Sequence, residues 1–204
     1  MLNVMGLKRW IASLLLCFSL LGVVPSVAYG EPLAKATFAG GCFWCMEKPF
    51  DVIPGVVSTI SGYTGGQTVN PSYRQVSSGK TGHAESVQVV YDPAQVSYED
   101  LLDVFWHNVD PLDAGGQFCD RGSQYRSSVF VYDDQQRKLV EQSKQALEKS
   151  GVQPIATQIV AAGEFYPAEG YHQNYYETNA LKYRFYRFAC GRDQRLAEVW
   201  GESP

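Results

Sequence analysis

Two cysteines that lie three residues apart, Cys42 and Cys45, are the residues of this sequence best suited to chemistry. They follow a strand-like run at 35–39 and the pair Gly40-Gly41, so Cys42 is expected at the start of a helix. A helix N-terminus carries partial positive charge, which favours an anionic sulfur. The sequence therefore predicts a reactive thiolate at Cys42, and the spacing of the two cysteines is typical of redox chemistry.

Polar residues elsewhere could assist such a thiol. Glu85 begins a predicted strand, and a partly buried carboxyl there would have a raised pKa and could donate a proton. Tyr73 and Tyr125 follow polar loops and offer hydroxyl groups, and Asp120 precedes Tyr125 in the second loop. Each also has a plainer structural explanation. Glu85 could be a solvated strand residue, and the two tyrosines could be loop residues that only pack. Asp120 could form a local ion pair, which stabilises a fold little when it is exposed.

Between the two thiols lie Phe43 and Trp44, which could form an apolar wall beside the sulfur or simply belong to the core. The histidines, His83, His107 and His172, are predicted to be structural. No second Cys or His pair has the spacing of a zinc ligand set, so no metal site is predicted.

The N-terminal segment has the pattern of a secretory signal peptide. Two basic residues precede an apolar run at 11–24, and small residues follow up to Ala28. The apolar run is too short for a comfortable membrane span. We expect a signal peptide at 1–28, cleaved near Ala28 or Gly30, and a single domain at 29–204; an uncleaved N-terminal anchor is the alternative.

The composition narrows the classes of function. The formal net charge of −4 and the absence of charge runs give no reason to expect nucleic acid binding. After the signal peptide four cysteines remain, Cys42, Cys45, Cys119 and Cys190. An even count in an exported protein can indicate structural disulfides, but the spacing of the first two favours redox chemistry.

Hydrophobic periodicity predicts the elements that position these residues. Strands are predicted at 35–39, 56–61, 84–91, 125–132 and 157–161, and helices at 42–52, from a cap at 97 to 109, and at 133–149. Polar loops are predicted at 62–71 and 113–124. We therefore predict an α+β fold, a two-layer α/β sandwich with a mixed sheet and a ferredoxin-like core, followed from residue 165 by a long irregular C-terminal tail of loop and short helix.

The segment Gly41-Cys42-Phe43-Trp44-Cys45 resembles the signature of the peptide methionine sulfoxide reductase A family. Other segments agree with that family in order and spacing: 61–66, 70–73, 81–85, 120–127, 165–169 and 171–176. The resemblance covers nearly all of the chain after the signal peptide.

This resemblance implies a role for each candidate residue. Cys42 would attack the sulfur of a methionine S-sulfoxide, and Glu85 would donate a proton to the sulfoxide oxygen. Tyr73 and Tyr125 would hydrogen-bond that oxygen, and Asp120 would hold the polar network in place.

The resemblance also implies how the cycle continues. Phe43 and Trp44 would surround the S-methyl group of the substrate, methionine would leave, and the nucleophile would remain as a sulfenic acid. A second thiol would then form a disulfide with it. Cys45 is favoured as this resolving cysteine because it is one helical turn away, and Cys190 is the alternative. Cys119 is expected to be a buried thiol, and a spare resolving cysteine is the alternative.

The implied activity needs no bound cofactor, only an external thioredoxin-like thiol reductant. The expected substrates are free and protein-bound methionine sulfoxide. The protein is expected to be an exported monomer, periplasmic or secreted, that repairs oxidised proteins. No membrane contact is expected beyond its signal peptide. Three rivals stay open from the residues alone: an exported thioredoxin-like disulfide oxidoreductase, a cysteine protease using Cys42, His172 and Asn174, and a non-enzymatic domain with two structural disulfides.

Overall fold

The computed structural model describes residues 32–201, so the predicted signal peptide at 1–28 lies outside the described residues. The strands are β1 (Ala34–Gly40), β2 (Val56–Thr64), β3 (Ala84–Tyr91), β4 (Gly116–Gln117), β5 (Asp120–Arg121), β6 (Ser127–Val131), β7 (Gln158–Ala161) and β8 (Tyr166–Pro167). The helices are α1 (Phe43–Asp51), α2 (Tyr73–Ser77), α3 (Tyr98–His107), α4 (Asp134–Ser150), α5 (Tyr175–Thr178), α6 (Ala180–Ala189) and α7 (Arg192–Trp200).

Six strands form one sheet in the order β7-β6-β1-β3-β2-β8. Neighbouring strands are antiparallel except β6 and β7, which run parallel. The remaining strands, β4 and β5, form a separate hairpin. The prediction of a mixed sheet in a mixed α/β fold is therefore confirmed.

The core lies where helices cover the centre of the sheet. Phe38 of β1 is fully buried and stacks on Phe50 of α1 at 5.0 Å and on Phe105 of α3 at 5.2 Å between ring centroids. Helix α4 joins this layer through Ser143, whose hydroxyl accepts a hydrogen bond from Nε1 of Trp106 in α3 at 3.0 Å. Stacked aromatic rings of this kind fix the helices against the strand that leads into the first helix.

The turn between β1 and α1 requires glycine at position 41. Gly41 has φ +84°, and a Cβ atom there would lie 2.7 Å from Cβ of Gln117 in β4. Cys42 follows as the N-cap residue of α1. This close approach places the β4–β5 hairpin directly over the start of the helix.

Two segments differ from the sequence prediction. The second strand continues to Thr64 because Tyr63 pairs with Glu85 on one side and with Tyr166 on the other. The C-terminal tail, predicted as loop and short helix, is more regular than expected, since α6 and α7 are helices whose inner residues, Tyr183 and Leu196, are buried. Sequence reasoning placed no bounds on these helices because their apolar positions are interleaved with arginine and tyrosine.

Across residues 32–201, no helix is both long enough and apolar enough to cross a bilayer.

Candidate active site

The sulfur of Cys42 sits at the junction of β1 and α1, and the residue is only 7% exposed. The Trp44 amide points at this sulfur and lowers its pKa, but burial and the nearby Glu85 carboxyl raise that pKa well above the ordinary value. Desolvation therefore outweighs the partial charge of the helix N-terminus on which the sequence argument relied. Cys42 holds its proton at neutral pH.

The carboxyl of Glu85 is buried beside this helix start. Glu85 lies in β3, is 1% exposed, and its Oε2 accepts the backbone amide of Phe43 at 3.3 Å. Burial raises its pKa to about 8, although the Phe43 amide opposes the shift and Asp120 adds to it. Glu85 is therefore a buried proton donor at neutral pH and not a solvated strand residue.

Two tyrosine hydroxyls face the same group of residues. Tyr73 begins α2 and Tyr125 ends a short 3₁₀ turn, and both side chains are half-buried. Burial and the Glu85 carboxyl raise the pKa of Tyr73 to about 12 and raise that of Tyr125 as well. Gln124 joins the two segments, since its Nε2 donates to the Ser77 carbonyl at 3.2 Å. Both hydroxyls therefore remain hydrogen-bond donors at physiological pH.

The Asp120 carboxylate closes this network on the side of the β4–β5 hairpin. It accepts a hydrogen bond from the Tyr186 hydroxyl of α6, and the Cys42 amide points at it. Burial raises the pKa of Asp120, while Tyr186 and the Arg192 guanidinium oppose the shift. Sequence reasoning had identified Asp120 but not its partner, which lies 66 residues away along the chain.

The predicted apolar wall is present and is built largely by the C-terminal segment. Phe43 is buried against His172 at 5.0 Å between ring centroids. Trp44 is half-buried and stacks on Tyr175 at 3.7 Å with an interplanar angle of 7°. Its Nε1 donates to Nδ1 of His172 at 3.0 Å. The indole is thereby held in one orientation next to Cys42.

His172 does more than the structural role that the sequence predicted. Its ring contacts the rings of Phe43 and of Tyr73, the latter at 4.4 Å between centroids. Burial lowers its pKa, so it is neutral and accepts from Trp44. Because its Nδ1 is engaged by Trp44, His172 is not arranged as the base of a cysteine protease triad.

Glu169 is a further site residue that sequence reasoning missed. Its carboxylate accepts the Tyr63 hydroxyl at 2.8 Å and the Tyr73 amide at 2.9 Å, and so positions the start of α2. The segments 165–169 and 171–176 matched the family pattern, but nothing local in them indicated the contacts that Glu169 and His172 make.

The four cysteines of the described chain divide into two pairs. Cys42 and Cys45 are free, and Cys45 is 1% exposed. Cys119, at the tip of the β4–β5 hairpin, is bonded to Cys190 at the end of α6, 71 residues later. Cys119 is exposed, so its assignment as a buried thiol is wrong. The two-disulfide alternative is also contradicted, since residues 32–201 hold a single bridge.

One group of potential metal-ligand atoms occurs in the described part of the chain: Cys119, Asp120 and Cys190, within 4.8 Å of one another. The two sulfurs are bonded to each other, which leaves the group with no free thiolate to offer a metal.

Comparison with known proteins identifies this arrangement. The family model described as peptide methionine sulfoxide reductase matches residues 34–204. The peptide methionine sulfoxide reductase MsrA of Bacillus licheniformis is 54% identical over 173 residues, which are 84% of this chain and 96% of that protein.

Two solved structures agree with the fold. Methionine sulfoxide reductase A of Corynebacterium diphtheriae is 38% identical, with a TM-score of 0.67 over 74% of this chain and 78% of that one. Reduced Mxr1 from Saccharomyces cerevisiae is 33% identical, with a TM-score of 0.69 over 72% of this chain and 86% of that one. The thioredoxin-like alternative is thereby set aside, and the chain belongs to the peptide methionine sulfoxide reductase A family of oxidoreductases.

Proposed function

We propose that this chain reduces the S-epimer of methionine sulfoxide, free and peptide-bound, to methionine through a sulfenic acid on Cys42. The observation that carries the proposal is the pairing of Cys42 with a buried, protonated Glu85 at the same helix start. A thiol and a carboxylic acid that both hold protons supply what an S=O group needs, a nucleophile and a proton.

The geometry supports the following sequence of events. The sulfoxide oxygen accepts from the hydroxyls of Tyr73 and Tyr125, and its methyl group packs against Phe43 and Trp44. Glu85 passes its proton to the oxygen as the Cys42 sulfur bonds to the substrate sulfur, and Glu85 recovers the proton of the thiol. The oxygen then moves from the substrate sulfur to the Cys42 sulfur as the bond between the two sulfurs breaks and methionine leaves, so that thiol plus sulfoxide becomes sulfenic acid plus thioether.

The proposed resolving residue is Cys45. It is a free thiol in the first turn of α1, and its amide donates to the Cys42 carbonyl at 3.0 Å. Burial raises its pKa, but Arg192 and Arg187 oppose that shift and favour the thiolate that must attack. Attack on the sulfenic acid forms a Cys42–Cys45 disulfide and releases water. The alternative, Cys190, is bonded to Cys119 and offers no free thiol in this state.

Several wider features belong to the same proposal. A thioredoxin-like dithiol protein returns the disulfide to thiols, and no bound cofactor takes part. Residues 1–28 direct export and are removed, and 29–204 form one catalytic domain that acts as a periplasmic or secreted monomer in repairing oxidised proteins. The strand order β6-β1-β3-β2, antiparallel throughout, supports a ferredoxin-like core.

The proposal is tested with purified protein, methionine S-sulfoxide and dithiothreitol. Release of methionine is expected from the S-epimer and not from the R-epimer. Cys42→Ser should abolish release, because a serine hydroxyl is a poor nucleophile towards a sulfoxide sulfur. Methionine release by Cys42→Ser would contradict the proposal.

A further inference from the structure

An exposed aromatic side chain, Tyr171, lies beside the candidate site. The described chain has four exposed aromatic residues: Tyr132, Tyr171, Phe185 and Phe188. Of these four, only Tyr171, which is 62% exposed, makes an aromatic contact with a site residue, since its ring lies 4.2 Å from that of His172 between centroids. Single exposed apolar residues are common on protein surfaces, so the position and the rigidity of this ring must decide whether it has a role.

His172 joins Tyr171 to both halves of the substrate site. The His172 ring lies 5.0 Å from the ring of Phe43, which belongs to the apolar wall, and 4.4 Å from the ring of Tyr73, which supplies a hydroxyl. Burial and the Glu85 carboxyl raise the pKa of Tyr73, and the nearby Tyr171 adds to this shift. Tyr171 therefore lies at the solvent-facing edge of the same site.

Glu169 fixes the chain just before Tyr171. Its carboxylate accepts the Tyr63 hydroxyl at 2.8 Å and the Tyr73 amide at 2.9 Å. One turn of 3₁₀ helix follows, in which the His172 amide donates to the Glu169 carbonyl at 2.9 Å. The backbone of Tyr171 lies within this turn and cannot move away from the site without breaking these bonds.

Gln173 fixes the chain just after Tyr171. Its Oε1 accepts the Ser61 amide, and its Nε2 donates to the carbonyls of Ser61 and Ala168, all at 2.9 Å. The side-chain amide thus bonds to β2 as a strand residue would, beyond the two residues of β8. An exposed ring on a fixed backbone loses little conformational entropy when a ligand covers it, which is a property of binding hot spots.

The substrate of the proposed reaction offers this ring a partner. A free methionine sulfoxide ends at its own amino and carboxyl groups, whereas in a polypeptide the chain continues on both sides of the bound side chain. The neighbouring side chains then lie outside the pocket, over its edge. An aromatic face at that edge gains most from an apolar or aromatic neighbour, because such a contact removes apolar surface from water.

We propose that Tyr171 binds the apolar side chain next to methionine sulfoxide in a polypeptide substrate. The inference rests on the proposed function, because it concerns the substrates of that same site. It assigns to Tyr171 a part in selecting polypeptide over free methionine sulfoxide and no part in the chemical step.

Comparing two substrates tests this role. Methionine S-sulfoxide is offered free and in a pentapeptide with blocked ends and a phenylalanine on each side of the sulfoxide. Tyr171→Ala should lower the ratio of kcat/KM for the peptide to kcat/KM for the free substrate by roughly 2- to 13-fold. Tyr171→Phe keeps the ring and should keep the wild-type ratio, as should Phe185→Ala, which removes an exposed aromatic ring on α6.

The use of a ratio separates binding of the neighbour from damage to the site. Loss of the support that Tyr171 gives to His172 would slow both substrates alike and leave the ratio unchanged. A wild-type ratio in Tyr171→Ala would therefore overturn the proposal. Absence of methionine release from either substrate by wild-type protein would instead refute the proposed function.

A second peptide, with glycine in place of both phenylalanines, tests the chemistry of the contact. Glycine has no side chain to cover the ring, so the wild-type protein should favour the phenylalanine peptide, and Tyr171→Ala should favour it less. An equal preference in the two proteins would contradict a contact at Tyr171. Both comparisons use two substrates on one protein sample, so they remain valid if part of a variant preparation is unfolded.

Discussion

The backbone amide of Phe43 donates to Oε2 of Glu85 at 3.3 Å, and this bond ties the proton donor of the site to the first turn of the helix that begins at the nucleophile. In the proposed reaction, the proton that the sulfoxide oxygen needs is therefore held beside the sulfur that attacks. Because β3 supplies Glu85 and the β1–α1 turn supplies Cys42, the sheet itself sets their relative position.

Replacing Glu85 by glutamine should slow the chemical step by about 100- to 10,000-fold, since an amide is a poor proton donor. The measurement is the single-turnover rate of methionine formation, with the disulfide-forming steps excluded. Glu99→Gln, which changes an exposed carboxylate on α3, is the matched control and should retain the wild-type rate. A wild-type rate in Glu85→Gln would show that Glu85 is not the proton donor.

The same rate should depend on pH with a falling limb near pH 8. Glu85 has its pKa raised to about 8, so its acid form is present below that pH and is lost above it. Ionised Glu85 also repels a developing thiolate on Cys42. Single-turnover rates between pH 6 and about 9 should therefore decline at the alkaline end, and Glu85→Gln should lack this limb. A wild-type rate that rises steadily through pH 8 contradicts the assignment.

Glu47 should make the fold less stable as pH rises. It is fully buried in α1, neither of its oxygens has a hydrogen bond of normal length within the described chain, and burial raises its pKa to about 7. Between its usual pKa and pH 7 the folded chain keeps a proton that the unfolded chain has lost, so the free energy of unfolding falls as pH rises through that window.

Glu47→Gln should remove the part of the pH-dependent loss of stability that is due to Glu47. Between pH 5 and about 7.5, the free energy of unfolding of the variant should rise relative to that of wild type by on the order of 1–2 kcal/mol, which corresponds to roughly 2–8 °C in Tm. Thermal unfolding at the two pH values measures this, again with Glu99→Gln as the control. An identical pH dependence in wild type and Glu47→Gln would show that Glu47 stays ionised in the folded chain.

Tyr175→Ala should weaken substrate binding, because Tyr175 stacks on Trp44 and holds the apolar wall in place. An aromatic stacking pair contributes about 0.5–1.5 kcal/mol, which corresponds to a rise in KM of roughly 2- to 13-fold with a much smaller change in kcat. Phe185→Ala is a suitable control, since Phe185 is 74% exposed on α6. An unchanged KM in Tyr175→Ala would mean that Trp44 keeps its orientation without this partner.

The sequence predicted the features that depend on near neighbours. Gly40-Gly41 before Cys42 indicated a helix start, and the alternation around Glu85 indicated a strand; both elements form as predicted. The capped helix after Asp133 also forms, with the Asp133 side chain accepting the Gln136 amide at 2.7 Å. Local turn and capping chemistry is sufficient for such elements.

Features that depend on tertiary packing could not be predicted from the sequence. The pKa of Cys42 is dominated by burial, which no local pattern specifies and which outweighs the lowering of that pKa by the Trp44 amide at the helix start. Four cysteines allow three pairings, and the pairing of Cys119 with Cys190 depends on how α6 packs against the hairpin. The contact between Glu169 and Tyr73 joins residues 96 positions apart.

The central claim, that Cys42 takes the oxygen of the sulfoxide, is tested most directly by trapping the sulfenic acid. Cys45→Ser with its Cys119–Cys190 disulfide intact should hold the intermediate, because residues 32–201 then contain no free thiol other than Cys42. After one equivalent of methionine S-sulfoxide, dimedone and peptide mass spectrometry should place the adduct on Cys42, in an amount equal to the methionine released. Methionine release with Cys42 unmodified would contradict the account.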